Sequence, residues 1–296
     1  MLTRSRAVAC ARLSRPKPPR SQTTPPTSLI AVKMLGGVGQ DEFGPRLIAG
    51  MAQDGIDVSG IRQVENQTTG VAVILVESSN GENRIMLSPG ANHTLLASHF
   101  LTPPSLGTPL PDLLIMQLEI PLATVLQILK TAQAANVPVL LNPAPAVPLS
   151  DEVYTAITHL IVNETEAALL SNRSLADVSV EGFDWSSISD DFIAKGAQNV
   201  VITLGSKGAF WASSGSGAKS NGYVPAAKVE KVVDTTAAGD TFVGAYAVQV
   251  VQEGEAGLAA IGGLGEVVRR ACIASGKTVE KEGAQNAIPW ADEVEW

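Results

Sequence analysis

Aromatic residues are scarce in this chain. Phe, Trp and Tyr supply 4% of 296 residues, although hydrophobic residues of all kinds reach 45%. The core must therefore be filled by Ala, Val, Leu, Ile and Gly, a mix that suits parallel strands covered on both faces by helices. Cysteine is scarcer still. Cys10 and Cys272 lack metal-ligand spacing and provide no disulfide framework, which points to a reducing compartment, the cytoplasm or nucleus. No apolar run approaches the ~20 residues that cross a bilayer, so no membrane partner is expected. No internal repeat is visible, and no G-x-G-x-x-G follows the first strand, which argues against a dinucleotide-binding oxidoreductase. The three histidines match no catalytic arrangement: His159 reads as packing, His93 and His99 as surface residues.

Basic charge is missing from most of the chain. Residues 1–33 hold seven Lys and Arg and no acid, leaving all 29 acidic residues to face 14 basic ones in the remainder. An acidic body argues against a nucleic-acid or anionic-membrane surface. It remains compatible with a phosphate-bearing ligand, because backbone N–H groups and a metal ion can hold phosphate.

The length fits two domains or one α/β domain. Residues 1–28 form an atypical basic, Pro-rich start, with a possible short helix from Leu2 to Leu13 and an extended linker around Pro16, Pro18 and Pro19. Residues 29–296 read as one α/β domain with a small β-lid around 66–90. Strands are expected at Leu29–Leu35, Thr69–Glu77 and Arg84–Ser88, the last two joined by a hairpin turn at 78–82. Gly36-Gly37-Val38-Gly39 reads as a turn, and Asp41 as the cap of a helix reaching Asp54. Further on, strands at Leu113–Gln117, Pro138–Leu141, His159–Val162, Val200–Leu204 and Gly208–Ala212 alternate with helices at Pro121–Asn136, Glu164–Leu170, Gly239–Glu253 and Leu264–Ser275. Such alternation implies a three-layer α/β/α sandwich with a mainly parallel sheet. Ligands of such sheets sit at the carboxyl ends of the strands.

One stretch carries chemistry: Val233-Asp234-Thr235-Thr236-Ala237-Ala238-Gly239-Asp240-Thr241-Phe242. Small residues precede an acid at the start of a long apolar helix. The N–H groups of Ala237, Ala238 and Gly239 would form an anion site aided by the helix dipole. Asp240 is placed to accept a proton from an attacking hydroxyl, the combination that phosphoryl transfer needs. From spacing alone, the same residues also fit an ordinary capped helix start.

This stretch resembles the signature of the ribokinase family, the PfkB-type carbohydrate kinases. The resemblance runs from about Ala7 to Trp290 through Gly36–Asp41, Thr69–Ala72, Gly90–Asn92, Gln117–Glu119, Asn142–Ala146, Asn163–Glu166, Thr203–Gly208 and Asp234–Phe242, all in the family's order. It implies ATP-dependent phosphorylation of D-ribose at O5. Asp240 would be the catalytic base, beside an anion hole of Ala237, Ala238 and Gly239, and Glu119 would bind sugar hydroxyls. Asn163, Thr203, Leu204, Gly205, Ser206, Lys207, Gly208, Gly239 and Cys272 would line the nucleotide site. Lys207 fits a merely exposed residue equally well, and Cys272 fits a buried apolar one. Glu166 would act on Mg²⁺ through water. A K⁺ site would involve Asp234, Thr236, Thr278, Lys281, Gly283 and Ala287, the last standing where Ser is common, which puts K⁺ dependence in doubt. A homodimer through the lid strands is a further implication.

The start departs from the family's pattern. Ala7–Leu13 resembles the beginning of the family's first helix, and the strand and flap that normally precede it find no match in residues 1–6. A misassigned start is expected in preference to a transit peptide over residues 1–22. Either way the chain is expected to be a weak or inactive kinase with its nucleotide half intact. The alternatives are another sugar or nucleoside kinase of the family and a non-catalytic nucleotide-binding protein.

Overall fold

The computed structural model describes residue 13 and residues 30–76, 83–215, 219–260 and 263–296. It opens with β1 (Lys33–Gly39), α1 (Phe43–Gln53) and β2 (Asp57–Val64), and β2 returns to pair in parallel with β1. A two-stranded antiparallel ladder follows, β3 (Val71–Val76) with β4 (Asn83–Ser88). The ladder occupies the segment read as a lid; the turn expected at 78–82 lies outside the described residues, as do the readings made for residues 1–12 and 14–28.

The main sheet has six strands. β5 (Leu114–Met116), β6 (Val139–Leu141), β7 (His159–Asn163) and β8 (Asn199–Thr203) run parallel. β9 (Ala209–Ser213) and β10 (Ser220–Val224) extend the sheet antiparallel, giving the order β10-β9-β8-β7-β6-β5. Helices α2 (Leu122–Ala134), α3 (Glu164–Leu170), α4 (Leu175–Val178), α5 (Ser186–Ala194), α6 (Ala238–Ala260) and α7 (Leu264–Val279) complete the elements.

Two apolar clusters sit on opposite faces of this sheet. Alternate strand residues divide between them: Val139, Leu141, Leu160, Val162, Val200 and Ile202 enter one, and Leu140, Ile161 and Val201 the other. The first is roofed by α2, α3 and α5, and the second by α6 and α7. This is the three-layer sandwich, and it explains why β6 reads as an unbroken Val-Leu-Leu run: both of its faces are covered. In α2, Val125, Ile128, Leu129 and Ala132 are buried at helical spacing, which turns one apolar stripe to the sheet.

Three sequence expectations need correction. Gly36–Gly39 is not a turn but the second half of β1, paired with Ile61–Val64. Its glycines serve close approach: a Cβ on Gly37 would meet Ala91 O at 2.9 Å, and one on Gly39 would meet Gln67 O at 2.3 Å. The helix expected to end at Glu253 does break there, at Gly254 with φ 61°, but a further helical stretch runs on to Ala260. The helix expected to stop at Ser275 continues to Val279. The strands β2 and β10 and the helices α4 and α5 had no counterpart in the sequence reading.

Candidate active site

Because β5 to β8 are parallel, their carboxyl ends share one edge of the sheet. Register places Met116 opposite Leu141, and Asn163 opposite Thr203. Gln117–Glu119, Asn142, Asn163 and Thr203–Gly208 therefore line that edge in spatial order. The N-terminal turn of α6 points the same way. Tyr246 meets His159 at the start of β7 (Oη to Nδ1, 2.8 Å). Val251, farther along the helix, lines a cavity beside Leu113 at the start of β5. Asp240 precedes Tyr246 by six residues, about 9 Å of helix, and so lies toward the carboxyl ends.

The turn before α6 is held from several sides. Ala237 has φ 61°, a left-handed conformation that costs a non-glycine residue about 1–2 kcal/mol. Its carbonyl accepts the Thr241 N–H at 2.8 Å. The Ala238 N–H donates to Thr235 O at 3.2 Å, and the Ala238 carbonyl accepts the Ser275 hydroxyl at 2.8 Å. One of the three expected anion-hole donors is thus engaged within the turn. Gly239 stands at the helix opening, where N–H groups have no intrahelical acceptor. A Cβ built there meets nothing within 4 Å, so the space above this turn is open. Asp240 is half-buried in the first turn.

Asp234 ties this turn to the segment after α7. Its Oδ1 accepts the Thr236 N–H at 2.8 Å and its Oδ2 the Gly283 N–H at 3.0 Å. Hydrogen bonds from Thr236, then Gly283, hold its carboxyl below the usual carboxylate range. Thr278 is fully buried, with its hydroxyl donating to Thr241 Oγ1 at 2.8 Å, and its carbonyl accepts the Lys281 N–H. Asp234, Thr236 and Gly283 thus form one bonded group, and Thr278 and Lys281 a second beside it in sequence. Ala287 follows in the next turn, its N–H bonded to Ala284 O.

At the end of β7, Asn163 and Glu166 form a capping box. The Glu166 N–H donates to Asn163 Oδ1 at 2.8 Å, and the Asn163 N–H donates to Glu166 Oε2 at 2.9 Å. Asn142 joins them from the end of β6: its amide donates to Ile161 O at 2.7 Å and reaches Glu166 Oε2 at 3.5 Å. Glu166 is buried while Asn163 faces solvent. Among the described residues no three His, Cys, Asp or Glu come together to hold a metal.

The loop after β8 is a tight hairpin. Leu204 N donates to Gly208 O at 2.8 Å, Lys207 N to Leu204 O and Gly208 N to Gly205 O. Gly205 (φ 56°) and Gly208 (φ 105°) take conformations that favour glycine. Ser206 is exposed at its tip. Lys207 is also exposed and pairs loosely with Glu164 at 3.4 Å, and the Thr203 hydroxyl reaches Val162 O at 3.4 Å. Cys272 sits in the apolar layer under α7, where burial pushes its thiol up to about 11. Glu119 is half-buried at the end of β5.

Asn142 had no assigned role in the sequence reading, and Asp41 was read only as a helix cap. Asn142 links β7 to Glu166, and the signal for it was a polar residue ending an apolar strand. Asp41 accepts the Thr69 N–H and hydroxyl, both at 2.6 Å, together with the N–H groups of Phe43 and Gly44. These bonds, the Thr69 hydroxyl first, pull its pKa to about 2. Asp41 thus caps α1, as expected, and also ties the root of β3 to the body.

The whole-chain comparisons agree with this geometry. Residues 7–291 match the pfkB family carbohydrate kinases. The ribokinase of Schizosaccharomyces pombe is 39% identical over 98% of this chain and 83% of its own. That of Haemophilus influenzae is 36% identical over 89% of this chain and 80% of its own. The crystal structure of the Thermotoga maritima ribokinase superposes with a TM-score of 0.75 at 29% identity, covering 98% of this chain and 84% of that one. The chain belongs to the pfkB family of carbohydrate kinases.

Proposed function

We propose that this chain transfers the γ-phosphoryl group of ATP to O5 of D-ribose, giving ADP and D-ribose 5-phosphate. The observation that carries the reading is Asp240 in the first turn of α6, three residues after the left-handed Ala237 and next to Gly239, above which the space is open. Relatives at 36–39% identity named as ribokinases supply the substrate.

In this reading Asp240 accepts the proton of the ribose hydroxyl as its oxygen attacks the γ-phosphorus in line. The helix opening at Gly239 and the dipole of α6 stabilise charge on the transferring oxygens. Glu119 accepts hydrogen bonds from other sugar hydroxyls. The Thr203–Gly208 hairpin lies against the nucleotide, where its glycines let backbone approach closely, and Asn163 and Lys207 lie toward the phosphates. Mg²⁺ arriving with ATP would neutralise phosphate charge. A single buried carboxylate, Glu166, suits an ion carried by the phosphates and reached through water. The backbone pinned together by Asp234 would hold K⁺. The free, buried Cys272 fits a reducing cytoplasm. A homodimer through β3 and β4 fits the exposed Val71, Met86 and Leu87.

The test is ATP-dependent phosphorylation of D-ribose, with 2-deoxyribose and a nucleoside as competitors, with and without K⁺, and with Asp240→Asn alongside. Ribose turnover lost in Asp240→Asn supports the reading. ATP binding without turnover of any sugar would replace it with the non-catalytic one.

A further inference from the structure

The first turn of α6 is fastened to the last turns of α7. The Ser275 hydroxyl donates to the Ala238 carbonyl at 2.8 Å, and the Thr278 hydroxyl donates to Thr241 Oγ1 at 2.8 Å. Just before α6, the N–H groups of Val233 and Asp234 both donate to the Val279 carbonyl, at 2.8 and 3.3 Å. A serine inside a helix ordinarily bonds a carbonyl one turn back in its own helix. Ser275 reaches a different helix instead, and it does so from a fixed position. Ala271, Ala274 and Thr278 around it are fully buried, and a Cβ on the adjacent Gly276 would lie 3.0 Å from Ala227 Cβ.

The bonded carbonyl matters because of the peptide unit it belongs to. That unit is planar and trans, so its C=O and N–H point in opposite directions. The unit that carries the Ala238 carbonyl also carries the Gly239 N–H. The preceding donor, the Ala238 N–H, is engaged with Thr235 O, whereas the Gly239 N–H stands at the helix opening with no intrahelical acceptor. Gly239 is exposed, with nothing within 4 Å of a built Cβ. Glycine is also the residue whose backbone most readily lets the peptide plane before it rotate. A hydroxyl on the carbonyl opposes that rotation. It uses the second lone pair of the oxygen, so the helix bond is kept, and it polarises the unit, which strengthens the N–H as a donor.

We propose, on the phosphoryl-transfer reading of this site, that Ser275 is a positioning residue: through the Ala238 carbonyl its hydroxyl fixes the Ala238–Gly239 peptide plane and aims the Gly239 N–H at the group being transferred. The test compares Ser275→Ala and Ser275→Thr in the full chain, with Ser179→Ala, whose hydroxyl bonds Leu175 O in its own helix, as the control. Ser275→Ala should lower kcat for ribose about tenfold or more, short of the roughly 10²–10³-fold cost of deleting a whole oxyanion donor. KM for ATP should change by less than about twofold, the pattern of an interaction realised in the transition state. Ser275→Thr, which keeps the hydroxyl, should recover most of the loss, and Ser179→Ala should match the unaltered chain. A second readout needs no turnover. In protein labelled with ¹⁵N-glycine, the Gly239 amide signal, assigned by its disappearance in Gly239→Ala, should move in Ser275→Ala and return in Ser275→Thr, while the signals of Gly37 and Gly107 stay. Unchanged kcat in Ser275→Ala, or a lower kcat with the Gly239 signal unmoved, would overturn the proposal, the second outcome leaving Ser275 a packing role. If the unaltered chain phosphorylates no sugar, the reaction assigned to the site falls, and the Gly239 signal alone decides whether Ser275 orients this peptide.

Discussion

Gly208 is the residue through which the hairpin after β8 depends most sharply on backbone geometry. A Cβ at this position would lie 2.0 Å from Val224 O, 2.5 Å from Ala226 N and 2.6 Å from Pro225 C. All three are main-chain atoms, so no side chain can swing aside. The φ of 105° adds a conformational penalty of about 1–3 kcal/mol, and forcing volume into a packed site adds about 1–3 kcal/mol more. Gly208→Ala should therefore cost about 2–6 kcal/mol. Gly205 is the internal control. It has φ 56° but nothing within 4 Å of a built Cβ, so Gly205→Ala should carry only the backbone penalty of about 1–2 kcal/mol. The steric cost of about 1–3 kcal/mol that separates them, at about 2–4 °C per kcal/mol for a chain of this size, should part the two variants by about 2–12 °C in thermal unfolding. The same ordering should appear in ATP affinity, because Gly208 closes the hairpin through the Leu204 N–H to Gly208 O bond. If the two variants melt together, the steric reasoning is wrong.

The remaining predictions are more direct. Asp240→Asn should lower kcat by about 10²-fold or more, the usual worth of a positioned general base, while calorimetry shows ATP binding unchanged. Thr69→Val should destabilise by about 1–3 kcal/mol in urea titrations, since the hydroxyl both donates to Asp41 and accepts from Gly39 in a buried site. Ala237→Gly should be neutral to stabilising by up to about 1 kcal/mol, relief of the left-handed strain outweighing the added chain entropy. His159 carries a pH signature. Burial lowers its pKa from 6.5 to about 4, so between those values the unfolded chain binds more protons and stability rises with pH. The contribution is present above about pH 6.5, and on the order of 3 kcal/mol is lost as pH falls to about 4. Stability curves of His159→Gln should lack that slope; a parallel slope in the variant would assign it to other groups.

Much of this architecture could be read from residue order. The runs at 139–141 and 159–162 are apolar because both faces are covered, and Glu164–Leu170 begins with a polar cap, so local composition was enough to place them. The strand β2 escaped because Asp57-Val58-Ser59-Gly60-Ile61-Arg62-Gln63-Val64 is half-exposed, and its pairing with β1 comes from a distant segment. The edge strand β10, Ser220–Val224, is mostly exposed and polar for the same reason. Gly36–Gly39 misled because glycine has two uses, turning and close approach, and only the neighbours Ala91 and Gln67 decide between them.

By itself, then, the sequence determined the layer class, the order of the buried strands and the longer helices, and the small-residue turn before Asp240. Each of these depends on local periodicity and on capping or glycine chemistry within a few residues. Only the tertiary structure decided that Asp234 binds the backbone at Gly283 and that Asn142 and Asn163 share Glu166. Those relations join residues far apart in the chain, and they come into being only when two separate apolar layers close on the same sheet.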